Sequence, residues 1–222
     1  MRQLTLDLPP RVSLGPDDFF VSDANARAYA MILAPDSWPE AKLALIGPAG
    51  CGKSHLARVF VHLHGGSLLR AADLTAQTPL PDGPLVLEDL HDLPPQAEEI
   101  VFHLHNHLKS RRLPFLMTAD VAPSRWSITL PDLASRVQAA TIAQIDDPDD
   151  LLLQAVIMKH FADRQLKAAP KLIAYLSSRI ERSFAAAADV VARMDAAALA
   201  TGAPLGLGLA RQVLDVTGPD SA

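Results

Sequence analysis

Gly47-Pro48-Ala49-Gly50-Cys51-Gly52-Lys53-Ser54 is the stretch on which the reading of this chain turns. It satisfies G-x-x-x-x-G-K-[ST]. It follows an apolar run, Leu43–Ile46, that reads as a strand, and it opens a helical stretch over Lys53–His64. That is the context in which the motif folds as a phosphate-binding loop. Glycines let such a loop turn back so that successive N–H groups face phosphate oxygens, with the positive end of the next helix behind them. Lys53 then reaches the β/γ-phosphates and the Ser54 hydroxyl takes a Mg²⁺ coordination position. Gly47, Pro48, Ala49, Gly50, Cys51, Gly52, Lys53, Ser54 and the adjoining His55 are the nucleotide-binding candidates, for ADP or ATP with Mg²⁺. A Gly-rich strand-to-helix turn without a ligand is the alternative, disfavoured because every motif position is filled. Cys51 is expected to pack in the loop, since no partner base lies near it in sequence to make it a nucleophile.

Outward from the loop, short apolar runs alternate with longer helical patterns, the signature of a parallel sheet covered by helices. Strands are expected at Leu43–Ile46, Ser67–Leu69, Leu85–Glu88, Pro114–Thr118 and Thr141–Ile145. Helices are clearest at Lys53–His64 and at Gln96–Ser110, where Ile100, Val101, Leu104 and Leu108 recur at helical spacing. The run Leu85-Val86-Leu87-Glu88-Asp89 sets two carboxylates at the C-terminal edge of the sheet, where phosphate-loop proteins hold Mg²⁺ and orient water. Glu88 and Asp89 are therefore catalytic candidates, with Ser54 and Glu88 as metal ligands. An ordinary acidic turn before a helix is the weaker reading.

After Asp146-Asp147-Pro148-Asp149-Asp150 no strand pattern recurs, and the acids with proline read as a helix start. Helices are expected over Asp149–Gln165, Pro170–Ile180, Phe184–Ala200 and Leu207–Leu214. The organisation is an extended tail over 1–18, an α/β nucleotide-binding domain with a five-stranded parallel sheet over 19–146, and a small all-α lid domain over 147–222.

Composition narrows the class. The chain has 222 residues, is 49% hydrophobic and only 20% charged, so it can build a core and lies outside the disordered regime. Its net charge of −5 argues against a basic surface wrapped around nucleic acid. One cysteine forbids an internal disulfide framework, as suits a reducing cytoplasm. The first residues meet Asp7 before any apolar leader forms, and no run approaches a membrane span. A cytoplasmic protein without membrane contact is expected. Within His103-Leu104-His105-Asn106-His107 the pair His103/His107 has zinc-compatible spacing, but no third ligand accompanies it, so a solvated helix face is expected, as for His62 and His64.

Several further segments carry a resemblance. Phe20-Val21-Ser22-Asp23-Ala24-Asn25-Ala26-Arg27-Ala28 precedes the phosphate loop, Thr118-Ala119-Asp120 ends the fourth strand, and Leu130-Pro131-Asp132-Leu133-Ala134-Ser135-Arg136-Val137 follows it. With the helical tail, these resemble the AAA+ ATPases of the DnaA initiator clade, Hda-type regulatory inactivators in particular, from Phe19 to Leu214. The resemblance implies that the segment containing Asn25 lines the adenine pocket, that Thr118-Ala119-Asp120 stands where the clade has its sensor 1 residues, with Asp120 a nucleotide-binding candidate, and that Arg136 is an arginine finger acting on a neighbour's nucleotide. It also implies that Gln3-Leu4-Thr5-Leu6-Asp7-Leu8 binds the DNA polymerase sliding clamp, Gln3 at a pocket rim and Leu6 and Leu8 as anchors in an apolar groove, with Leu4 among the clamp-binding residues. An amphipathic edge strand would show the same alternation.

Departures from the clade modify the expectation. Glu88-Asp89 stands where the clade has Asp-Asp, and the extra methylene displaces a carboxylate whose position matters for rate. Ala185 stands at the sensor 2 position, with Arg182 three residues earlier as a partial substitute or a surface charge. Slow own-site hydrolysis and retention of ADP follow. The chain ends after the lid, where DnaA continues into a helix-turn-helix domain, so direct sequence-specific DNA binding is not expected. The implied function is negative regulation of replication initiation: carried on the sliding clamp, the protein offers Arg136 to ATP held by DnaA and stimulates its hydrolysis. For Arg136 the plain alternative is a surface arginine paired with an acid such as Asp132. Rival functions are a self-contained, homo-oligomeric AAA+ ATPase, a small phosphate-loop kinase, and a helicase-loader-like protein. The last is disfavoured by the acidic charge and the lack of an aromatic-basic tract.

Overall fold

Five apolar runs pair side by side in a single parallel sheet of order β2-β3-β4-β1-β5, comprising β1 (Lys42–Ile46), β2 (Ser67–Arg70), β3 (Leu85–Glu88), β4 (Phe115–Ala119) and β5 (Thr141–Gln144). The structure is a computed structural model that describes residues 19–215. Every residue of β1, β3 and β4 is buried, the near-continuous apolar pattern of strands covered on both faces. β1 lies between β4 and β5, with Lys42 level with Phe115 of β4 and Ile46 level with Ala119, and with Leu43 level with Thr141 of β5. All five strands run the same way, so their C-terminal ends, and the loops that follow, share one edge.

The crossovers are helical: α2 (Lys53–His64), α3 (Glu98–Arg111) and α4 (Pro131–Gln138), with α1 (Ala26–Leu33) before the first strand. Leu104 and Leu108 of α3 and Leu133 and Val137 of α4 are fully buried or nearly so, in one cluster with Leu85, Leu87, Phe115 and Met117. Each such side chain contributes roughly 1.5–3 kcal/mol by leaving water. Neither α1 nor α4 is apparent from sequence periodicity. Both are eight residues long, and packing decides them: α1 buries Ala28 and Ile32, α4 Leu133 and Val137.

The chain divides into two compact units between Asp147 and Pro148. The second contains α5 (Asp150–Asp163), α6 (Pro170–Ser177), α7 (Phe184–Thr201) and α8 (Leu207–Asp215). The Asp149 and Ser183 side chains accept hydrogen bonds from Leu152 N–H and Ala186 N–H, capping α5 and α7. Gly202, with φ of 67°, closes α7 in the left-handed conformation. α6 ends at Ser177, short of the expected Ile180. The hydroxyls of Ser177 and Ser178 donate to the Ala174 and Tyr175 carbonyls, the local competition that serine offers a helix end. No helix among the described residues is long and apolar enough to cross a membrane.

Candidate functional site

The phosphate loop leaves β1 at Ile46 and feeds α2 at Lys53. Gly50 and Gly52 have φ of 79° and 102°, a backbone open to glycine and strained for other residues. Gly47 is excluded from change by space: a Cβ there would stand 2.8 Å from both the Ile145 carbonyl oxygen and Cys51 Sγ. Cys51 is buried within the loop as expected, and burial pushes its thiol pKa up, away from nucleophilic use.

Lys53 is nearly buried and its ammonium is fully engaged. Nζ donates to the carbonyls of Gly47 at 2.8 Å and Pro48 at 2.9 Å, and pairs with Asp120 Oδ1 at 2.7 Å. The cation is thus held at the mouth of its own loop by acceptors that an anionic ligand could replace. The acidic edge converges on the same place. Glu88 ends β3 at 2% exposure, and its Oε1 has no hydrogen-bond partner. A carboxylate oxygen left bare in the interior is costly unless something polar or cationic meets it, so this one oxygen suits a cation. Asp89 adopts φ of 57°, and its N–H donates to Thr118 Oγ1 at 3.2 Å, tying the end of β3 to β4. His91 follows, its Nε2 3.9 Å from Asp120 Oδ2.

Asn25 is buried and shapes its own loop: Oδ1 accepts from Ser22 N–H and Nδ2 donates to the Phe20 carbonyl, both at 2.9 Å. His55 is buried in the first turn of α2, edge-on to Phe19, which stacks on Tyr29 and lies against Gly52. This aromatic wall beside the loop includes Tyr29, which sequence reading passed over; the aromatic residues themselves were the available signal. Arg182 lies in the second unit, exposed and paired with Asp150 at 2.8 Å, in the segment before α7. Ala185 occupies the first turn of α7. Gln3, Leu4, Leu6 and Leu8 lie outside the described residues.

Arg136 lies at the other edge of the sheet. Its carbonyl accepts from Lys42 Nζ at 3.0 Å, and Lys42 begins β1, four residues before the strand delivers the phosphate loop. At roughly 3.3 Å per residue the strand separates the two by about 13 Å. The guanidinium does not pair with Asp132. It lies over the Phe102 ring, with Cζ 4.3 Å from the centroid, and donates to Asn106 Oδ1. Asn106, Phe102 and Lys42 were not singled out in the sequence; a lysine opening an otherwise apolar strand was the one available sign.

The histidine run on α3 is not the uniform solvated face expected. His103 is exposed, but His105 is 3% exposed and edge-on to Phe115. Burial, reinforced by the charges of Lys42 and Arg136, pushes its pKa from 6.5 to about 4. His107 bonds the Pro81 carbonyl at 2.9 Å, and His64 the Ile32 carbonyl at 3.1 Å. No group of three metal-ligating side chains occurs among the described residues.

A five-stranded parallel sheet with this order, a phosphate loop after β1, acids after β3 and a C-terminal helical unit define an AAA+ fold. Domain III of the replication initiator DnaA from Thermotoga maritima has this fold, with a TM-score of 0.70, 16% identity, and coverage of 94% of this chain and 98% of that one. AMPPCP-bound DnaA from Aquifex aeolicus aligns with a TM-score of 0.62 at 18% identity over 85% of this chain and 66% of that one. A point variant of RuvB from Thermotoga maritima aligns with a TM-score of 0.64 at 16% identity, over 92% and 72% of the two chains. In sequence the chain is 26% identical over 119 residues to the chromosomal replication initiator protein DnaA of Cutibacterium acnes, covering 54% of this chain and 24% of that protein. It thus matches about a quarter of that relative's length. No family model matches the chain. By sequence it is similar to DnaA over those 119 residues, and by structure it has the fold of DnaA domain III.

Proposed function

We propose that the chain binds an adenine nucleotide at Gly47–Ser54 and acts as a negative regulator of replication initiation, supplying Arg136 in trans to ATP held by DnaA. The carrying observation is the separation of two chemistries on one sheet. Lys53, Asp120 and the bare Glu88 oxygen gather at the C-terminal edge, while Arg136 is tied to Lys42 at the N-terminal edge, with its guanidinium on Phe102 and Asn106. A cation so placed is of use to a nucleotide on another molecule.

At the chain's own site, the loop N–H groups and Lys53 bind phosphate, the wall of Phe19, Tyr29 and His55 flanks the loop, and Asp120 holds the Lys53 ammonium. DnaA of Aquifex aeolicus bound to AMPPCP supports an adenine nucleotide there. Ser54 and Glu88 would hold Mg²⁺, which when bound neutralises phosphate charge. Asp89, tied to Thr118, is the residue left to orient water. In trans, the Arg136 guanidinium neutralises charge developing on the partner's γ-phosphoryl, an effect worth about 10³–10⁵ in rate where such fingers are well studied. The DNA polymerase sliding clamp, bound through Gln3, Leu4, Leu6 and Leu8, is the proposed platform. Likeness to DnaA supports DnaA as the partner, since AAA+ domains of one kind can stack on each other.

The test is conversion of DnaA-ATP to DnaA-ADP with DNA-loaded clamp and this protein. Arg136→Ala is expected to lose the stimulation and Gln3→Ala/Leu6→Ala to lose its clamp dependence. Conversion by Arg136→Ala at the wild-type rate would sink the proposal, and fast turnover by the protein alone would favour a self-contained ATPase.

A further inference from the structure

The helix that carries Arg136 is held at both ends by buried ions. At its N-terminus the Glu98 carboxylate, 3% exposed, accepts from Thr129 N–H at 2.8 Å, Leu130 N–H at 2.6 Å and the Thr129 hydroxyl at 2.9 Å. At its C-terminal end the Lys42 ammonium, also 3% exposed, donates to the Arg136 carbonyl, and Glu40 pairs with Lys42 at 2.9 Å. Both charges have the sign that the helix dipole favours at their ends. The backbone of Arg136 is therefore fixed to the sheet and to α3.

On that fixed backbone the side chain is also held. Phe102 and Asn106 are four residues apart on α3 and so share a face. Phe102 receives the flat face of the guanidinium and Asn106 takes one terminal nitrogen. Neither partner is charged. Among the described residues Arg136 has no carboxylate partner, so its positive charge is kept rather than neutralised, and most of its five N–H donors lie outside the Asn106 contact.

We propose that Phe102 and Asn106 are positioning residues for Arg136, holding its guanidinium in one orientation in the isolated subunit so that it meets the partner's phosphate already ordered. This rests on the reading of Arg136 as a group acting in trans. An unrestrained arginine samples many rotamers and must be ordered during the reaction, whereas a pre-held one acts without that reorganisation. A carboxylate in place of Asn106 would hold the side chain as well but cancel its charge, which separates positioning from simple packing.

The experiment measures DnaA-ATP conversion with DNA-loaded clamp over a range of concentrations of the wild type, Arg136→Ala, Asn106→Ala, Asn106→Asp and Phe102→Leu proteins. Melting temperature and nucleotide affinity are measured on each. Asn106→Ala is expected to lower the saturating rate about ten- to thirtyfold, the scale of one long side chain's rotamer freedom. The half-saturating concentration, melting temperature and own-site affinity should stay near wild type. Asn106→Asp should fall at least as far, and Phe102→Leu, which keeps apolar packing without the ring, should show the same rate-only loss if Asn106→Ala proves unstable. Arg136→Ala inactive with Asn106→Ala and Phe102→Leu at or above the wild-type rate would overturn the inference alone, the contacts then being neutral or a parking place. Arg136→Ala as fast as wild type would overturn the function itself and this inference with it.

Discussion

Gly47 and Gly208 are both glycines of the described chain, yet their surroundings assign opposite outcomes to the same substitution. At Gly47 an added methyl meets a backbone carbonyl that has no freedom to move aside, so the phosphate loop must shift. Gly47→Ala is expected to lose about 1–3 kcal/mol of stability together with nucleotide binding, measurable by denaturant unfolding and calorimetric titration. At Gly208, inside α8, nothing lies within 4 Å of the added atom. Gly208→Ala, in the first turn of α8, should therefore stabilise by up to about 0.5 kcal/mol, part of the helix-interior propensity difference, and raise the melting temperature. His105 sets a pH dependence. Its folded pKa of about 4 lies below the ordinary 6.5, so the unfolded chain takes up a proton that the folded chain refuses. Stability is whole above pH 6.5 and declines as pH falls toward 4, by about 2–3 kcal/mol at pH 4.5. His160, also lowered by burial, acts in the same direction. Unfolding free energies measured from pH 7 to 4.5 should fall with this slope, and His105→Gln should flatten most of it.

At the scale of elements, α4 shows what was legible in the sequence and what was not. β1, the phosphate loop and α2 could be read directly, because the glycines, the lysine and the flanking apolar run each have a local reason to be there. Eight-residue α4 has no such run. Its local signs were Pro131 at the first helical position and Asp132 in the first turn, and its existence depends on a carboxylate contributed by another helix. The partners of Arg136 lie some 30 residues back and meet it only when α3 packs on α4, so no local pattern announces them. The burial of His105, two residues from exposed His103, is settled in the same way. Glu98 gives this dependence a measurable form. Burial by itself raises its pKa, and the donors from Thr129 and Leu130 more than offset that, leaving the carboxyl below its ordinary 4.5. Its stabilisation is present above pH 4.5 and is lost as pH falls through the lowered folded value. Glu98→Gln replaces one acceptor oxygen by a donor that would face donors. It is expected to cost about 1–3 kcal/mol at pH 7, and amide exchange in residues 129–134 should speed up more than in the strands.

Across the whole α/β unit, the sheet works as a spacer with a binding edge and a presenting edge, and this makes the two chemistries separable. Among the described residues the Lys53 ammonium bonds its own loop and Asp120, and Arg136 bonds α3 and the start of β1. A ligand that binds only the folded state stabilises it by RT ln(1 + [L]/Kd), about 2.7 kcal/mol at a hundred times Kd. ADP or ATP with Mg²⁺ should therefore raise the melting temperature of the wild type and of Arg136→Ala by the same amount, because nothing at the Arg136 edge enters the loop. Lys53→Ala should show no such rise and should melt below the wild type in the absence of nucleotide, since it leaves the buried Gly47 carbonyl and the Asp120 carboxylate without their partner. Thermal melts with and without nucleotide on the three proteins test the arrangement directly. If Arg136→Ala abolishes the nucleotide-dependent rise, the two edges are not independent, and the arginine belongs to its own subunit's site rather than to a neighbour's.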